Sequence, residues 1–190
     1  MGSSKGLTLI ELMLTLVIIA VLATIAVPGF ADFQRNSELI SRTGTLVSSL
    51  NTARGEAMKR GRYAMAIPAD GANWSSGIIV FVDNNNNKAF DDATDIVIYR
   101  NDDVFPSFLE ASGNGTALGA TPYVLFDAQG YSRTSSGGFG NLTLYIMRND
   151  VSASRQPSQT RRIIVSRTGR LRTCTPTSAT DTTCSASSTS

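Results

Sequence analysis

Leu7-Thr8-Leu9-Ile10-Glu11-Leu12-Met13-Leu14-Thr15-Leu16-Val17-Ile18-Ile19-Ala20-Val21-Leu22-Ala23-Thr24-Ile25-Ala26-Val27 is an almost wholly apolar run that holds one carboxylate and directly follows Lys5-Gly6. A bilayer core takes about 20 apolar residues in a helix, so this segment is long enough to span a membrane or to lie in a bundle of similar helices. Glu11 sets it apart from an ordinary span. An ionised group in hydrocarbon costs about 2.5 kcal/mol or more, so such a residue is expected to have a partner and a role. A cut after Gly6 would supply one, because the new amine of Leu7 would lie one helical turn from Glu11, or from Glu11 of a neighbouring copy. The competing reading is a secretory signal cleaved after Ala23 or Ala26, where the small residues fit but where Glu11 has no use.

Beyond Pro28 the period stays helical. Leu39, Thr43, Leu46, Leu50, Ala53 and Ala57 recur at steps of three and four, which puts them on one face. Glu38 with Arg42, and Glu56 with Arg60, are spaced as surface i,i+4 pairs, and Gly61 is placed to stop the helix. One helix is therefore expected from about Leu7 to Arg60, apolar all round over 7–27 and amphipathic over 28–61. The period then changes. Tyr63–Ile67, Gly77–Val82, Ile96–Arg100, Tyr123–Phe126, Leu142–Met147 and Arg162–Ser166 are short, rich in Val, Ile, Tyr and Phe, and bounded by turn residues. They read as strands, with Ser107–Thr121 as a long loop. The fold class is α+β: a long N-terminal helix whose second half packs on an antiparallel sheet in a β-rich head over 62–173. A Ser/Thr-rich tail over 174–190 follows, its last six residues expected to be disordered.

The part after the apolar run is of ordinary single-domain size. Net charge is only +2, but it is unevenly spread. Tyr63–Asp150 holds four basic and ten acidic residues, whereas Val151–Thr180 holds six arginines and no acid. A polyanion would bind the second block. Cys174 and Cys184 are the only cysteines, and in an exported chain they are expected to pair. With no histidine in the chain, the two thiols are a poor start for a zinc site.

The stretch from Lys5-Gly6 through Leu7-Thr8-Leu9-Ile10-Glu11-Leu12, with Pro28 at position 22 counted from Leu7, resembles the class III signal of type IV prepilins. The resemblance implies cleavage after Gly6 by a prepilin peptidase, methylation of Leu7, and assembly through Glu11 and Pro28. Leu7 departs from the usual phenylalanine. The head is similar to the minor pilins FimT and FimU and the pseudopilin GspH. The residues that carry this are Trp74, Gly77–Asp83, Asp95–Ile98, Phe126-Asp127-Ala128-Gln129-Gly130, Arg162–Ser166 and Gly169-Arg170-Leu171-Arg172. The implied protein is a minor pilin, anchored by one span in the inner membrane with its head in the periplasm, then carried in an extracellular pilus with other major and minor pilins. The alternative is a purely structural subunit that initiates or caps a type IV pilus or a type II secretion pseudopilus, without binding DNA.

Gly169-Arg170-Leu171-Arg172 resembles the motif by which FimT-like pilins bind DNA in natural transformation. Read from the residues, Arg170 and Arg172 alternate on a returning segment and project from one face, with Arg161, Arg162 and Arg167 nearby. Guanidiniums grouped in this way grip phosphate oxygens, so double-stranded DNA is the expected partner. A solvated hairpin is the alternative. Aromatics are absent from Val151–Thr173, which argues against a single-strand stacking site there. Tyr63, Trp74, Tyr99, Tyr123 and Phe126 read as core or sheet-face residues. Asp83-Asn84-Asn85-Asn86-Asn87 fits a calcium loop poorly, since Lys88 and Thr94 stand where such a loop needs glycine and glutamate. Without histidine or a Gly-x-Ser-x-Gly elbow, nothing points to catalysis or to a cofactor.

Overall fold

The computed structural model describes Gly6 and residues 8–184, apart from the side chains of Ile25 and Pro28. The readings placed on Leu7, on the leader before Gly6 and on the last six residues of the tail therefore lie outside the described residues.

Helix α1 runs over Leu9–Arg60. It starts at a capping box. Thr8 Oγ1 accepts the Glu11 N–H at 3.3 Å, and Glu11 Oε2 accepts the Thr8 N–H at 3.1 Å, so each residue satisfies a donor that the first turn leaves open. Along its first part the apolar side chains have no cover: Leu9 is 77% exposed, Val17 60% and Phe30 67%. Among the described residues no single straight helix is long and apolar enough to cross a membrane. The limbs Leu9–Thr24 and Gly29–Arg60, taken together across a bend, are so by length and composition. The reason is the bend around 25–28, which leaves the first limb roughly 24 Å at 1.5 Å per residue. Pro28 lies in that interval, where a missing N–H opens the hydrogen-bond ladder.

The described residues from Leu39 onward form a separate unit. The predicted helical stripe is its spine: Leu39, Thr43, Leu46, Leu50, Ala53 and Ala57 are all buried. The helix ends in a Schellman motif, with Gly61 at φ 64° and the Arg62 N–H donating to the Ala57 carbonyl at 3.2 Å. Arg60 and Lys59 both reach Glu56, at 2.7 and 3.1 Å, and Glu56 is held below the usual carboxylate range by its bonds to Arg60 first and Lys59 second.

Among the described residues nine strands follow: β1 (Ala64–Pro68), β2 (Ile78–Val82), β3 (Ile96–Asn101), β4 (Leu109–Gly113), β5 (Val124–Phe126), β6 (Ser132–Arg133), β7 (Leu142–Arg148), β8 (Thr160–Val165) and β9 (Leu171–Cys174). They form two antiparallel sheets rather than one, in the orders β3-β2-β1-β5-β6 and β4-β7-β8-β9. The stripe of α1 and the inward residues of both sheets share one core that includes Trp74, Val80, Phe126, Leu144 and Ile163. The far face of the first sheet has a smaller core of its own. Met65, Ile79, Phe81 and Leu125 are buried there, and Phe90 from the Asn/Asp-rich loop lies 4.9 Å from Phe81.

Strand β4 falls inside Ser107–Thr121, the stretch read as a loop. Its pattern alternates, with Leu109, Ala111 and Gly113 buried and Glu110 exposed, but small residues carry it. Their size has a cause: a Cβ on Gly113 would lie 2.7 Å from the Cβ of Ala117, whose carbonyl accepts the buried Trp74 indole N–H at 3.0 Å. The Asn/Asp-rich loop closes on itself. Asp83 accepts from the N–H groups of Asn87 and Lys88, and Asp95 from those of Asn84 and Asp91, so the carboxylates organise the loop backbone.

Candidate functional site: the arginine turn and its surroundings

Strands β8 and β9 are joined by Ser166-Arg167-Thr168-Gly169-Arg170. The Ser166 N–H donates to the Arg170 carbonyl at 3.0 Å, and the Gly169 N–H to the Ser166 carbonyl at 2.9 Å. Gly169 adopts φ 75°, a left-handed conformation suited to glycine. A second requirement comes from a neighbour. A Cβ on Gly169 would overlap the Gly130 carbonyl oxygen, and the Ser132 N–H donates to the Arg167 carbonyl at 3.1 Å. Arg54 of α1 clamps both turns, giving Nε to the Gly130 carbonyl at 3.0 Å and Nη2 to that of Thr168 at 3.3 Å. The two glycine motifs seen apart in the sequence, Phe126–Gly130 and Gly169–Arg172, thus meet backbone to backbone.

Asp127 builds the other half of that contact. It is 5% exposed; its Oδ1 accepts the Gln129 and Tyr131 N–H groups at 3.0 and 2.9 Å, and its Oδ2 accepts Arg133 Nε at 2.6 Å.

The predicted arginines separate. Arg167 and Arg170 are exposed on the turn. Arg172 is half-buried and donates from Nη2 to the Thr183 carbonyl at 3.1 Å, which corrects the expectation that it stands in solvent beside Arg170. Arg162 donates to the Cys184 carbonyl. Arg161 alternates to the opposite face from Arg162, toward the side of the buried Ile163 and Val165. There it donates to the Ser158 and Thr160 carbonyls, and burial lowers its pKa from the ordinary guanidinium value. Arginines adjacent in sequence are therefore divided by the strand pleat and by a C-terminal loop.

That loop is a strap. The predicted disulfide joins Cys174 to Cys184 with the Cα atoms 5.9 Å apart. Asp181 ties the loop from inside, accepting from the backbone and hydroxyls of Thr177 and Thr183 and from the Cys184 N–H. These bonds, that from the Thr177 backbone first, hold its carboxyl well below the usual range. Sequence reading missed Asp181, although aspartate followed by Thr-Thr is a local signal for such a turn.

Two exposed aromatics also stand beside the arginine turn. Tyr131 (39% exposed) and Phe139 (54% exposed) make an edge contact at 5.6 Å between ring centroids, and Arg133 lies 4.0 Å from the Phe139 ring centre. They come from a different stretch of sequence, so a scan of 151–173 does not meet them.

Comparison with known proteins places this geometry. The family profile described as Type II transport protein GspH matches residues 42–169, and the Prokaryotic N-terminal methylation motif matches residues 1–27. A fimbrial protein of Pseudomonas aeruginosa is 39% identical over 72 residues, which is 37% of this chain and 46% of that protein. A fimbrial protein of Moraxella nonliquefaciens is 39% identical over 62 residues, 33% of this chain and 40% of that one. The chain thus spans less than half the length of these curated relatives. In fold it is similar to the type IV minor pilin FimU of Pseudomonas aeruginosa, with a TM-score of 0.55 at 20% identity over 77% of this chain and 98% of that structure. The long helix, the antiparallel head and both sequence motifs agree, and the chain belongs to the GspH family of pilin-like proteins.

Proposed function

We propose that the chain is a minor subunit of a type IV pilus, made as a prepilin, cut between Gly6 and Leu7, methylated on Leu7 and built into the filament at or near its tip. One observation carries this reading: α1 buries a stripe in its own head from Leu39 onward, but leaves Leu9, Leu16, Val17, Leu22, Val27, Phe30 and Phe33, among others, exposed. Such a surface is stable only in lipid or against other helices of its kind. The inner membrane holds it before assembly, with the head in the periplasm, and other major and minor pilins hold it afterwards. The prepilin peptidase is the processing partner. The domain reading follows: leader 1–6, assembly helix 7–27, amphipathic helix 28–61, head 62–173 and disulfide-tied tail 174–190. Glu11, which caps the helix through Thr8 in the uncut chain, is assigned to the freed amine of Leu7 in the mature subunit. Glu11→Ala is expected to insert in the membrane normally and to be depleted from sheared filaments; immunoblots showing wild-type incorporation would refute the assignment.

A second reading is favoured by the exposure of Arg167 and Arg170 on a turn rigidly clamped by Arg54. The head contacts extracellular DNA through phosphates, as a step in natural transformation. Arg170 and Arg167 lead, Gly169 shapes the turn, and Arg161, Arg162 and Arg172 add field from behind. Arg170→Ala in the full chain in detergent is expected to weaken binding to duplexes of different sequence alike, and to reduce the slope of log affinity against log salt by about 1. An unchanged slope would remove Arg170 from the contact. If the subunit instead serves a secretion pseudopilus, it will copurify with that filament and leave transformation intact when deleted.

A further inference from the structure

We propose that Tyr131 and Phe139 form a base-stacking platform beside the arginine turn, so that the nucleic acid this head prefers is single-stranded. The inference rests on the DNA-contact reading and adds to it the form of the strand. Sequence reading pointed the other way because 151–173 contains no aromatic residue; the fold supplies two from elsewhere.

The placement follows from backbone bonds. Ser132, whose N–H donates to the Arg167 carbonyl at 3.1 Å, is next to Tyr131, and its own carbonyl accepts the Gly140 N–H at 2.9 Å, next to Phe139. Phe139 is bridged antiparallel to Arg133. The rings are therefore fixed to one short hairpin, and the turn that carries the exposed cations is bonded to it. An aromatic pair in a soluble head is ordinarily buried, yet Phe139 is 54% and Tyr131 39% exposed. Arg133 keeps the rings in place from one side. Its guanidinium carbon is 4.0 Å from the Phe139 centroid and 5.9 Å from that of Tyr131, while its Nε is pinned by the buried Asp127 at 2.6 Å. Held in this way, the rings do not need to be ordered when a base arrives.

Charge around the platform suits a phosphate chain. Arg167 and Arg170 are exposed on the turn that is bonded to this hairpin. A cleft of about 660 Å³ is lined by Arg62, by Arg60, which is paired with Glu56, and by Arg133, which is paired with Asp127. Of the carboxylates that share its wall, Asp83 is buried and turned to backbone N–H groups, while the buried Asp127 divides its oxygens between backbone N–H groups and Arg133. Cations flanking exposed rings are what single-strand sites use: the backbone follows the charge while bases stack on the rings, with little regard to sequence. In a duplex the bases are already stacked on one another, so a duplex meets the cations but gains nothing from the rings.

The test uses the full chain in detergent, with fluorescence anisotropy of labelled oligothymidylate of about 15 nucleotides and of a duplex of the same length, at about 50 mM salt. Oligothymidylate is expected to bind more tightly than the duplex. Replacing both rings, Tyr131→Ala with Phe139→Ala, should weaken it about ten-fold or more and leave the duplex affinity in place. Tyr131→Phe with Phe139→Tyr should bind as the native chain does. If the alanine pair disturbs the circular dichroism spectrum, Tyr131→Leu with Phe139→Leu keeps the bulk, removes the π faces and should show the same selective loss. Equal loss for both probes, or no loss for oligothymidylate, overturns the platform while leaving phosphate contact standing. In that case a defect of the same variant in filament incorporation would assign the surface to a neighbouring subunit. Failure of the native chain to bind either probe overturns the DNA-contact reading and the platform with it.

Discussion

Gly169 shows how one residue joins two motifs. Its left-handed backbone and the Gly130 carbonyl oxygen occupying its Cβ position leave no room for a side chain. Gly169→Ala is therefore expected to destabilise the head by about 2 kcal/mol or more, through backbone strain together with loss of the Arg54 clamp. A chemical denaturation curve unchanged within about 0.5 kcal/mol would mean that the turn relaxes freely and that Gly169 serves the surface rather than the fold. The same residue stood out in the sequence as the glycine of Gly169-Arg170-Leu171-Arg172. Its packing role did not, because the partner glycine lies far away in the chain. Arg172 teaches a related lesson. Alternation placed it beside Arg170, but the strap that takes its guanidinium comes from a segment whose path no periodicity predicts.

Among the elements, those with a strong period were read correctly and those made of small residues were not. The stripe from Leu39 to Ala57, the Gly61 stop and strands β1, β2, β3, β5, β7 and β8 all stand where apolar alternation or helical spacing put them. Strand β4 escaped because Leu-Glu-Ala-Ser-Gly has little strand propensity, and its partner β7 lies about thirty residues further along the chain. The division into two sheets likewise depends on pairings that no local signal encodes. The strap is the element most open to experiment. Its disulfide closes a loop with a sequence separation of 10, which contributes roughly 2.5 to 3 kcal/mol by the chain-entropy estimate. Cys174→Ser with Cys184→Ser should lose amide-exchange protection over 177–184 and lower the melting temperature modestly, while α1 and both sheets keep their protection. Global loss of protection would show that the strap holds the head together rather than covering one face of it.

At the scale of the whole molecule, α1 serves two environments with one continuous helix. From Leu39 onward its stripe is buried within the chain; before that, its large apolar side chains are exposed, and lipid or other subunits are proposed to cover them. The methylation motif and the pilin-like fold agree with that division. Where the mature chain begins is decisive, since a subunit that lost residues 7–27 would lack the apolar segment on which the proposed anchoring and assembly depend. Mass spectrometry of the protein recovered from its own bacterium decides this: the account predicts an N-terminal peptide beginning at N-methylated Leu7, and a mature chain beginning at Thr24 or Val27 would contradict it.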